Sequence, residues 1–336
     1  MIEAPAWLWI ACTVAGNGVQ TIRNTMQRSL VDSLGTVGAT HVRFLFGLPF
    51  GLLFLVAMAF FVDLRAFDVS WRFVAWAAMG GLFQITATAA MLAAMRERSF
   101  VVAIAYVKTE PLQIALFGFL FLGERLGAQA TLAIVLATGG VLLMSMPAPA
   151  VRKAATGPFA ADGTAPAAIS AIPAAAQPSR GLRAKLPLVP RAALLGIASG
   201  AMFALSAVGI RGAILALGDG PFYARATVML AVTLSLQTAL LTAWLAWRER
   251  EVLRAIFRMW RPSLLAGASG ALASQLLFFA FSLQTAAAVR TVGLSEILFA
   301  QAVSHRLFSQ HTTRREAIGM AAMIMGVLWL LIAAPG

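Results

Sequence analysis

Ten long apolar runs constrain this 336-residue chain more than any other feature of its sequence. A helix needs roughly 20 mainly apolar residues to cross a bilayer. The runs that meet this requirement cover residues 7–28, 37–62, 72–95, 99–122, 127–147, 192–216, 221–247, 262–283, 286–308 and 315–334. Charged residues make up only 12% of the chain, about half of their usual share in soluble domains. The sequence therefore predicts an all-α integral membrane protein with ten transmembrane helices, and it disfavours a soluble enzyme.

The stretch 148–191 separates five of these runs from the other five and differs from both sets in composition. It holds half of the 14 prolines, much alanine and several basic residues. This composition is typical of semi-stiff, solvated linkers that pack no core. We predict a first five-helix repeat over residues 1–147, a cytoplasmic Ala/Pro-rich basic linker over residues 148–191, and a second five-helix repeat over residues 192–336.

An internal repeat relates the two sets of runs. Sliding the sequence by 186 residues aligns Glu110 with Glu296. The other matched positions, at offsets between 182 and 188, are Gly81 with Gly267, Gly140 with Gly326, Arg23 with Arg211 and Arg43 with Arg225. Because each half has an odd number of runs, the second half must enter the membrane upside down relative to the first. Inverted repeats of this kind are typical of secondary transporters, whose substrates bind near the midplane at the repeat interface.

The basic residues are spread unevenly between the two predicted sides of the membrane. The linker and the stretch 248–261 lie on the richer side, which the positive-inside rule assigns to the cytoplasm. We therefore expect both termini to be periplasmic and the linker cytoplasmic, in a bacterial inner membrane. The net charge of +13 is then a topology signal, and no nucleic-acid partner is predicted.

Side chains suited to metal or redox chemistry are few. The chain has one cysteine, Cys12, and three histidines, which argues against a disulfide framework, a metal site or a cofactor. The HExxH and GxSxG patterns are absent, so no enzyme activity is predicted.

Short motifs recur in order along the first half. They are Val42-Arg43-Phe44, Met91–Met95 followed by Arg96-Glu97-Arg98, Glu110-Pro111, Leu122-Gly123-Glu124-Arg125-Leu126 and Gly139-Gly140-Val141. In these motifs the chain resembles the drug/metabolite transporter superfamily, in particular its ten-span EamA-type permeases. The second half departs from the pattern, because Ile297 replaces the proline and Ser309-Gln310 stands where Gly-Glu is expected. The resemblance implies a metabolite or drug carrier that works by alternating access.

Two carboxylates lie near the centres of predicted spans, Glu110 in the fourth and Glu296 in the ninth. Ionisable groups at membrane depth are costly and by default mark a pathway or a partner pair. Tyr106 shares a helix face with Glu110, and Pro111 removes a backbone donor beside it and is expected to kink the helix. Each glutamate is a candidate for substrate binding or proton coupling. The alternative is that each pairs with a nearby arginine and only holds helices together.

Six basic residues also lie within the predicted spans. Arg23 and Arg211 are candidates for substrate binding, and Arg43 and Arg225 are candidates for gating, because guanidinium groups bind carboxylate or phosphate bidentately. The alternative for the gating pair is snorkelling to the membrane interface. The remaining two, Lys108 and Arg290, have no basic counterpart in the other repeat. They are candidates for specificity, and Lys108 is equally a candidate ion partner of Glu296.

Amide side chains complete the candidate set. Asn17, Gln84 and Gln275 lie within apolar runs and could each hydrogen-bond a substrate or another helix.

The sequence thus predicts a secondary active transporter that moves a small organic metabolite or amphipathic compound, and the four arginines favour an anionic one. We expect coupling to protons or exchange, with a small-molecule substrate and the lipid bilayer as partners. Two alternatives remain open, a flippase-like carrier of a lipid-linked substrate and a non-transporting membrane receptor or scaffold. The sequence leaves both a monomer and a homodimer open.

Overall fold

The computed structural model describes residues 4–63, 67–97, 107–145, 191–297 and 314–333. These residues form helices joined by turns, and no strand occurs among them. The helices are α1 Leu8–Leu45, α2 Leu48–Ala59, α3 Trp71–Glu97, α4 Glu110–Phe117, α5 Ala128–Ser145, α6 Arg191–Ala216, α7 Phe222–Arg248, α8 Arg250–Arg258, α9 Trp260–Leu283, α10 Ala286–Val292 and α11 Arg314–Ala333. The predicted all-α class is confirmed for this part of the chain.

Five helical segments are long and apolar enough to cross a membrane. They are Ser29–Ala59, Trp71–Ala94, Leu194–Ala216, Phe222–Arg248 and Trp260–Leu283. Shorter apolar helices cover Glu110–Leu122, Ala128–Met144 and Ala317–Ala333. The start of the predicted fourth span, the end of the ninth and nearly all of the predicted linker lie outside the described residues.

Helix α1 contains the first predicted span and the beginning of the second, and Gly35 lies between them. Gly35 has φ 68° and ψ 176°, a conformation that is open almost only to glycine. Positions 23 and 43 would lie about 30 Å apart on one straight helix. Yet the side chains of Arg23 and Arg43 both come within 3.2 Å of the point where Gly270 would carry a Cβ atom. The chain therefore reverses direction at Gly35, and α1 is a helical hairpin.

Three helix pairs join the first half of the chain to the second by backbone contact at glycines. Helix α3 meets α6, where a Cβ atom at Gly209 would lie 2.6 Å from the Gly80 nitrogen. The end of α1 meets α9, where a Cβ at Gly267 would lie 2.4 Å from the Phe46 carbonyl carbon. Helix α5 meets α11, where a Cβ at Gly140 would lie 2.5 Å from the Gly319 oxygen. Small residues of this kind allow close helix packing in membranes.

The turns gather at two ends of the helices. The Gly218 end contains the turns near residues 67–70, 121–127, 217–221 and 284–285. Asp68, Leu122 and Gly218 line one groove there. Arg211 contacts both Glu124 and Gln284, which brings the other turns to the same end. The Gly35 end contains the α1 hairpin turn and α8, whose Val252 lies against Gly38. Helix α8 is amphipathic, with Ile256 buried and three arginines four residues apart exposed.

Candidate functional site

A small polar cavity lies where helices of both halves meet. Its volume is about 30 Å³, enough for about one water molecule. Its polar lining consists of Gln20, Arg23, Asn24, Arg43, Gln84, Lys108, Glu110, Ser274, Arg290 and Glu296. Its apolar lining comes from Met91, Val107, Phe203, Leu277, Phe278 and Phe281. The structure thus brings together seven of the residues that the sequence predicts for the site.

Two ion pairs cross between the halves inside this cavity. Lys108 of the first half contacts Glu296 of the second, and Thr21 also donates a hydrogen bond of 3.1 Å to Glu296 Oε1. Arg290 of the second half lies 3.2 Å from Glu110 of the first, measured from Nε to Oε1. The two cations without a basic counterpart in the other repeat therefore each neutralise the carboxylate of the opposite half.

Both carboxylates lie at breaks in their helices. Residues 108–109 form a turn, and α4 begins at Glu110 with Pro111 in its first helical turn. The missing N–H of proline costs little at that position, so the break precedes Glu110 and the helix continues straight after Pro111. In the second half α10 ends at Val292, and a short 3₁₀ turn leads directly to Glu296. Interrupted helices leave backbone groups free beside the side chain, a feature of binding sites in transporters.

Arg23 and Arg43 line the same cavity without a carboxylate contact among the described residues. Both are deeply buried, with 2% and 4% of their surface exposed. Arg23 donates from Nη2 to Asn24 at 2.6 Å, while its Nε and Nη1 make no hydrogen bond within the described chain. Arg43 makes long hydrogen bonds to two hydroxyls, Thr88 at 3.4 Å and Ser274 at 3.3 Å, and its guanidinium lies 5.2 Å from the centre of the Phe44 ring.

The other two predicted arginines lie toward the Gly218 end and do not line the cavity. Arg211 forms an ion pair with Glu124 and donates to the carbonyls of Phe281 at 2.5 Å and Gln284 at 2.6 Å. Arg225 donates to the carbonyl of Gly218 at 3.3 Å. Arg211 thus ties the turn after α4 to the end of α9, closing the bundle between the cavity and that end.

The predicted amides divide between the cavity and the helix contacts. Gln84 lines the cavity and accepts a hydrogen bond of 2.8 Å from Gln237 on α7. Gln275 donates to Thr227 at 3.1 Å, and Asn17 donates to the Thr13 carbonyl at 2.7 Å. Neither Gln275 nor Asn17 lines the cavity. Tyr106 lies outside the described residues.

Several site residues have no counterpart in the sequence prediction. Thr21, Thr88 and Ser274 contact the charged groups from neighbouring helices. Isolated hydroxyls on apolar helices are common, so no pattern marks them. Glu124 is different, because it is part of the Leu-Gly-Glu motif and is an acidic residue at the end of an apolar run. That position is the signal that could have identified it as a partner for Arg211.

No group of three or more His, Cys, Asp or Glu side chains in the described part of the chain is arranged to hold a metal ion. The charged groups of the cavity instead form a set of exchangeable ion pairs and free hydrogen-bond donors. Such a set can bind a small polar or charged molecule, or take up a proton at a carboxylate.

Comparison with known proteins gives the family and supports the fold. Residues 7–146 match the EamA-like transporter family, which belongs to the drug/metabolite transporter superfamily. One solved crystal structure, described only as that of a protein, aligns with 96% of this chain and 99% of its own, at a TM-score of 0.59 and 15% identity. At that identity the likeness shows a shared fold alone. No curated protein matches the chain.

The family match confirms the resemblance predicted from the motifs. Together with the apolar helices, it indicates an integral multi-pass membrane protein, and the matched family is one of transporters.

Proposed function

We propose that this drug/metabolite transporter is a secondary active carrier that moves a small organic metabolite or amphipathic compound by alternating access between two inverted five-helix halves. The observation that carries the proposal is the pair of crossed ion pairs, Lys108–Glu296 and Arg290–Glu110, inside a cavity lined by both halves. Any ligand that enters the cavity competes with contacts that hold the two halves together.

The helix contacts support the inverted arrangement and the count of ten spans. Exchanging the two halves of the repeat turns the α3–α6 contact into the contact of α9 with the part of α1 before Gly35, where Gly16 lies against Ala273 and Leu276, and it leaves the α5–α11 contact unchanged. It likewise exchanges Glu110 with Glu296. The arginines of α8 lie at the Gly35 end, so we assign that end to the cytoplasm and both termini to the periplasm of a bacterial inner membrane.

The crossed ion pairs suit a protein that changes conformation, because replacing one partner by another ion of the same charge costs little free energy. Desolvation of two buried charges offsets most of their attraction, so the net stabilisation by a buried pair is small. A proton taken up by Glu110 neutralises the carboxylate and releases Arg290, and an anionic substrate releases the same cation by replacing the carboxylate. Replacement by an anion keeps Arg290 neutralised and so costs little free energy. Protonation leaves Arg290 as an uncompensated buried charge and therefore favours a conformation in which water or substrate reaches it, as proton coupling requires.

The cavity must widen before it can hold an organic molecule, since its volume is about 30 Å³. Toward the Gly218 end the Arg211–Glu124 ion pair and the backbone of Phe281 close the path. We therefore interpret the structure as a contracted state, and opening at one end requires that this ion pair or its counterpart at the other end give way.

The coupling role of the carboxylates is tested by transport in proteoliposomes. Compounds that raise the thermal stability of the purified protein are first identified by screening, and their flux is then measured with an imposed pH gradient. We expect Glu110→Gln or Glu296→Gln to abolish the dependence of flux on the gradient, because neither amide can take up the proton. Arg254→Gln on α8, which removes an exposed charge outside the cavity, is the matched control. Unchanged pH dependence in both glutamine variants would exclude the coupling role.

A second candidate cargo, a lipid-like molecule, is favoured by a groove between α4 and α5. The groove measures about 500 Å³, with Leu116, Phe119 and Ile134 on its walls and Glu124 and Arg125 at one end. An apolar channel that ends in charged groups fits an acyl chain with a polar head. Stabilisation by phospholipids but not by water-soluble anions would favour this cargo. Binding of either class without measurable flux would favour the receptor alternative.

A further inference from the structure

We propose that Arg23 and Arg43 form an anion-binding pair in the central cavity, and that the transported molecule is an amphipathic organic anion whose carboxylate or phosphate group docks on that pair. This inference rests on the proposed transport function and names the substrate class of the same cavity.

The first argument is the charge inventory of the cavity. Among the described residues its lining has four cations and two carboxylates. Both carboxylates form ion pairs with the other two cations, Lys108 and Arg290, although the 3.2 Å contact between Arg290 Nε and Glu110 Oε1 lacks hydrogen-bond geometry. Glu296 attracts Arg23 electrostatically, but its two oxygens already contact Lys108 and Thr21. A net positive charge therefore remains in a buried space, where an anion is the natural counterpart.

The second argument is the set of unused donors. A guanidinium group has five N–H donors in a rigid fork that matches an oxyanion. Two nitrogen atoms of the buried Arg23 side chain donate to nothing in the described chain, and Arg43 contacts two neutral hydroxyls at 3.3–3.4 Å and the Phe44 ring at 5.2 Å, none of which carries a negative charge. Buried donors without an acceptor are costly, and hydrogen bonds from arginine to a carboxylate or phosphate are among the strongest in proteins. The pair is therefore organised to receive oxygen atoms.

The third argument is that the fold forces the two arginines together. The Arg23 and Arg43 side chains each pass within 3.2 Å of the Cβ position of Gly270 on α9. The atoms at this distance are the methylene carbons Arg23 Cδ and Arg43 Cγ, and the positive charge of Arg23 acts unfavourably on that of Arg43 in this low-dielectric space. The hairpin at Gly35 brings the two arginines to the same place, and the absence of a side chain at Gly270 leaves room for both. An anion bound between the two side chains would offset their repulsion.

The fourth argument comes from the repeat itself. Arg211, the counterpart of Arg23, has a carboxylate partner in Glu124. The position that corresponds to Glu124 in the second half is Gln310, which lies outside the described residues. The repeat has thus kept the arginine in both halves and the carboxylate in only one. The sequence leaves Arg23 without the partner that Arg211 has.

The remainder of the cavity indicates the rest of the ligand. Phe203, Leu277 and Phe278 lie beside the charged groups, and they offer apolar and aromatic contact to a molecule held by its anionic end. A small aryl or branched alkyl carboxylate or phosphate satisfies both parts of the site. Inorganic phosphate satisfies only the charged part.

The test measures binding to the purified protein in detergent by thermal shift and calorimetry. The probes are phenylacetate, phenyl phosphate, the neutral phenylacetamide and inorganic phosphate. We expect the two organic anions to stabilise the wild-type protein more than inorganic phosphate does, and the neutral amide to have no effect. Arg23→Gln and Arg43→Gln should each weaken anion binding at least tenfold, and Arg254→Gln should leave it unchanged. Equal binding of phenylacetate and phenylacetamide overturns the proposal, as does unweakened anion binding in both glutamine variants.

Lysine variants keep the test decisive if a glutamine variant fails to fold. Arg23→Lys retains the charge but not the fork, so it should stay folded and bind phenyl phosphate more weakly than the wild type. Wild-type affinity in this variant and in Arg43→Lys would exclude docking on the guanidinium pair. Flux assays distinguish the failure of the anion site from the failure of the transport function. Anion binding without flux would refute transport and support the anion site. Flux of neutral compounds without anion binding would support transport and refute the anion site.

Discussion

Arg23 and Arg211 occupy equivalent positions in the two halves, and their surroundings differ sharply. Arg211 has an ion-pair partner and two carbonyl acceptors, all at one end of the bundle. Arg23 lies in the central cavity with two donor nitrogens unused in the described chain. The repeated arginine therefore stabilises the fold in one half, and in the other half it keeps hydrogen-bond donors available for a ligand. Lys108 resembles Arg211 in this respect and Arg43 resembles Arg23, whereas Arg290 has a carboxylate in ion-pair range but no hydrogen bond from Nε.

The largest expected effect comes from removing a paired cation. Lys108→Met leaves Glu296 as a buried charge that has lost its cation, so the free energy of unfolding should fall by about 3–5 kcal/mol. The double variant Lys108→Met with Glu296→Gln should recover most of that loss, because no unpaired charge remains. Denaturant unfolding in detergent measures both. A single variant as stable as the wild type would mean that Lys108 does not neutralise Glu296.

An intermediate effect is expected where the paired arginine closes the Gly218 end. Glu124→Gln removes the charge partner of Arg211, and the loss of a charge-assisted hydrogen bond should lower the free energy of unfolding by about 1–3 kcal/mol. The variant should also open the cavity toward that end. With Cys12→Ala as background, a cysteine introduced by Ser274→Cys should then react faster with a membrane-impermeant thiol reagent. A labelling rate unaltered by Glu124→Gln would argue against closure by this ion pair.

The smallest stability effect is expected at the unpaired arginine. Arg23→Met removes a buried charge that has no carboxylate contact among the described residues, so the free energy of unfolding without ligand should change by less than about 1 kcal/mol or rise slightly. Stabilisation by phenylacetate should nevertheless disappear. A loss as large as that of Lys108→Met would show that Arg23 has a structural partner, and the contrast with Arg211 would then fail.

The sequence alone predicts the two carboxylates and the internal repeat, but it predicts only part of the ion pairing. Glu110 and Glu296 stand out as acidic residues within apolar runs, and the 186-residue offset relates them. The sequence leaves two roles open for Lys108, substrate specificity and pairing with Glu296, and the structure contains the ion pair. For Glu110 the sequence offers pairing with an arginine as one alternative, and the structure shows that this arginine is Arg290. The sequence does not identify it, because the pairs cross between the halves and helical periodicity describes neighbours on one helix only.

The helix breaks and the separation of the arginines also depend on tertiary contacts. Pro111 predicts a kink within a span, whereas the break precedes Glu110 and leaves the proline in the first helical turn. The repeat places Arg43 and Arg225 in corresponding positions, yet Arg43 lies in the cavity and Arg225 near the Gly218 turn. Their neighbours on adjacent helices decide this outcome, and a single sequence does not record which helices are adjacent.

The backbone contact between α5 and α11 has a consequence for biosynthesis. Gly140 emerges from the ribosome well before Gly319, by roughly 10–35 s at ordinary rates of translation. During that interval the glycine face of α5 is already in the membrane, and its final partner does not yet exist. Lipid or the insertion machinery must cover it and then leave, since the finished contact admits no side chain. This contact therefore cannot form before α11 has been synthesised, and a polypeptide truncated before α11 would leave this face of α5 without its partner.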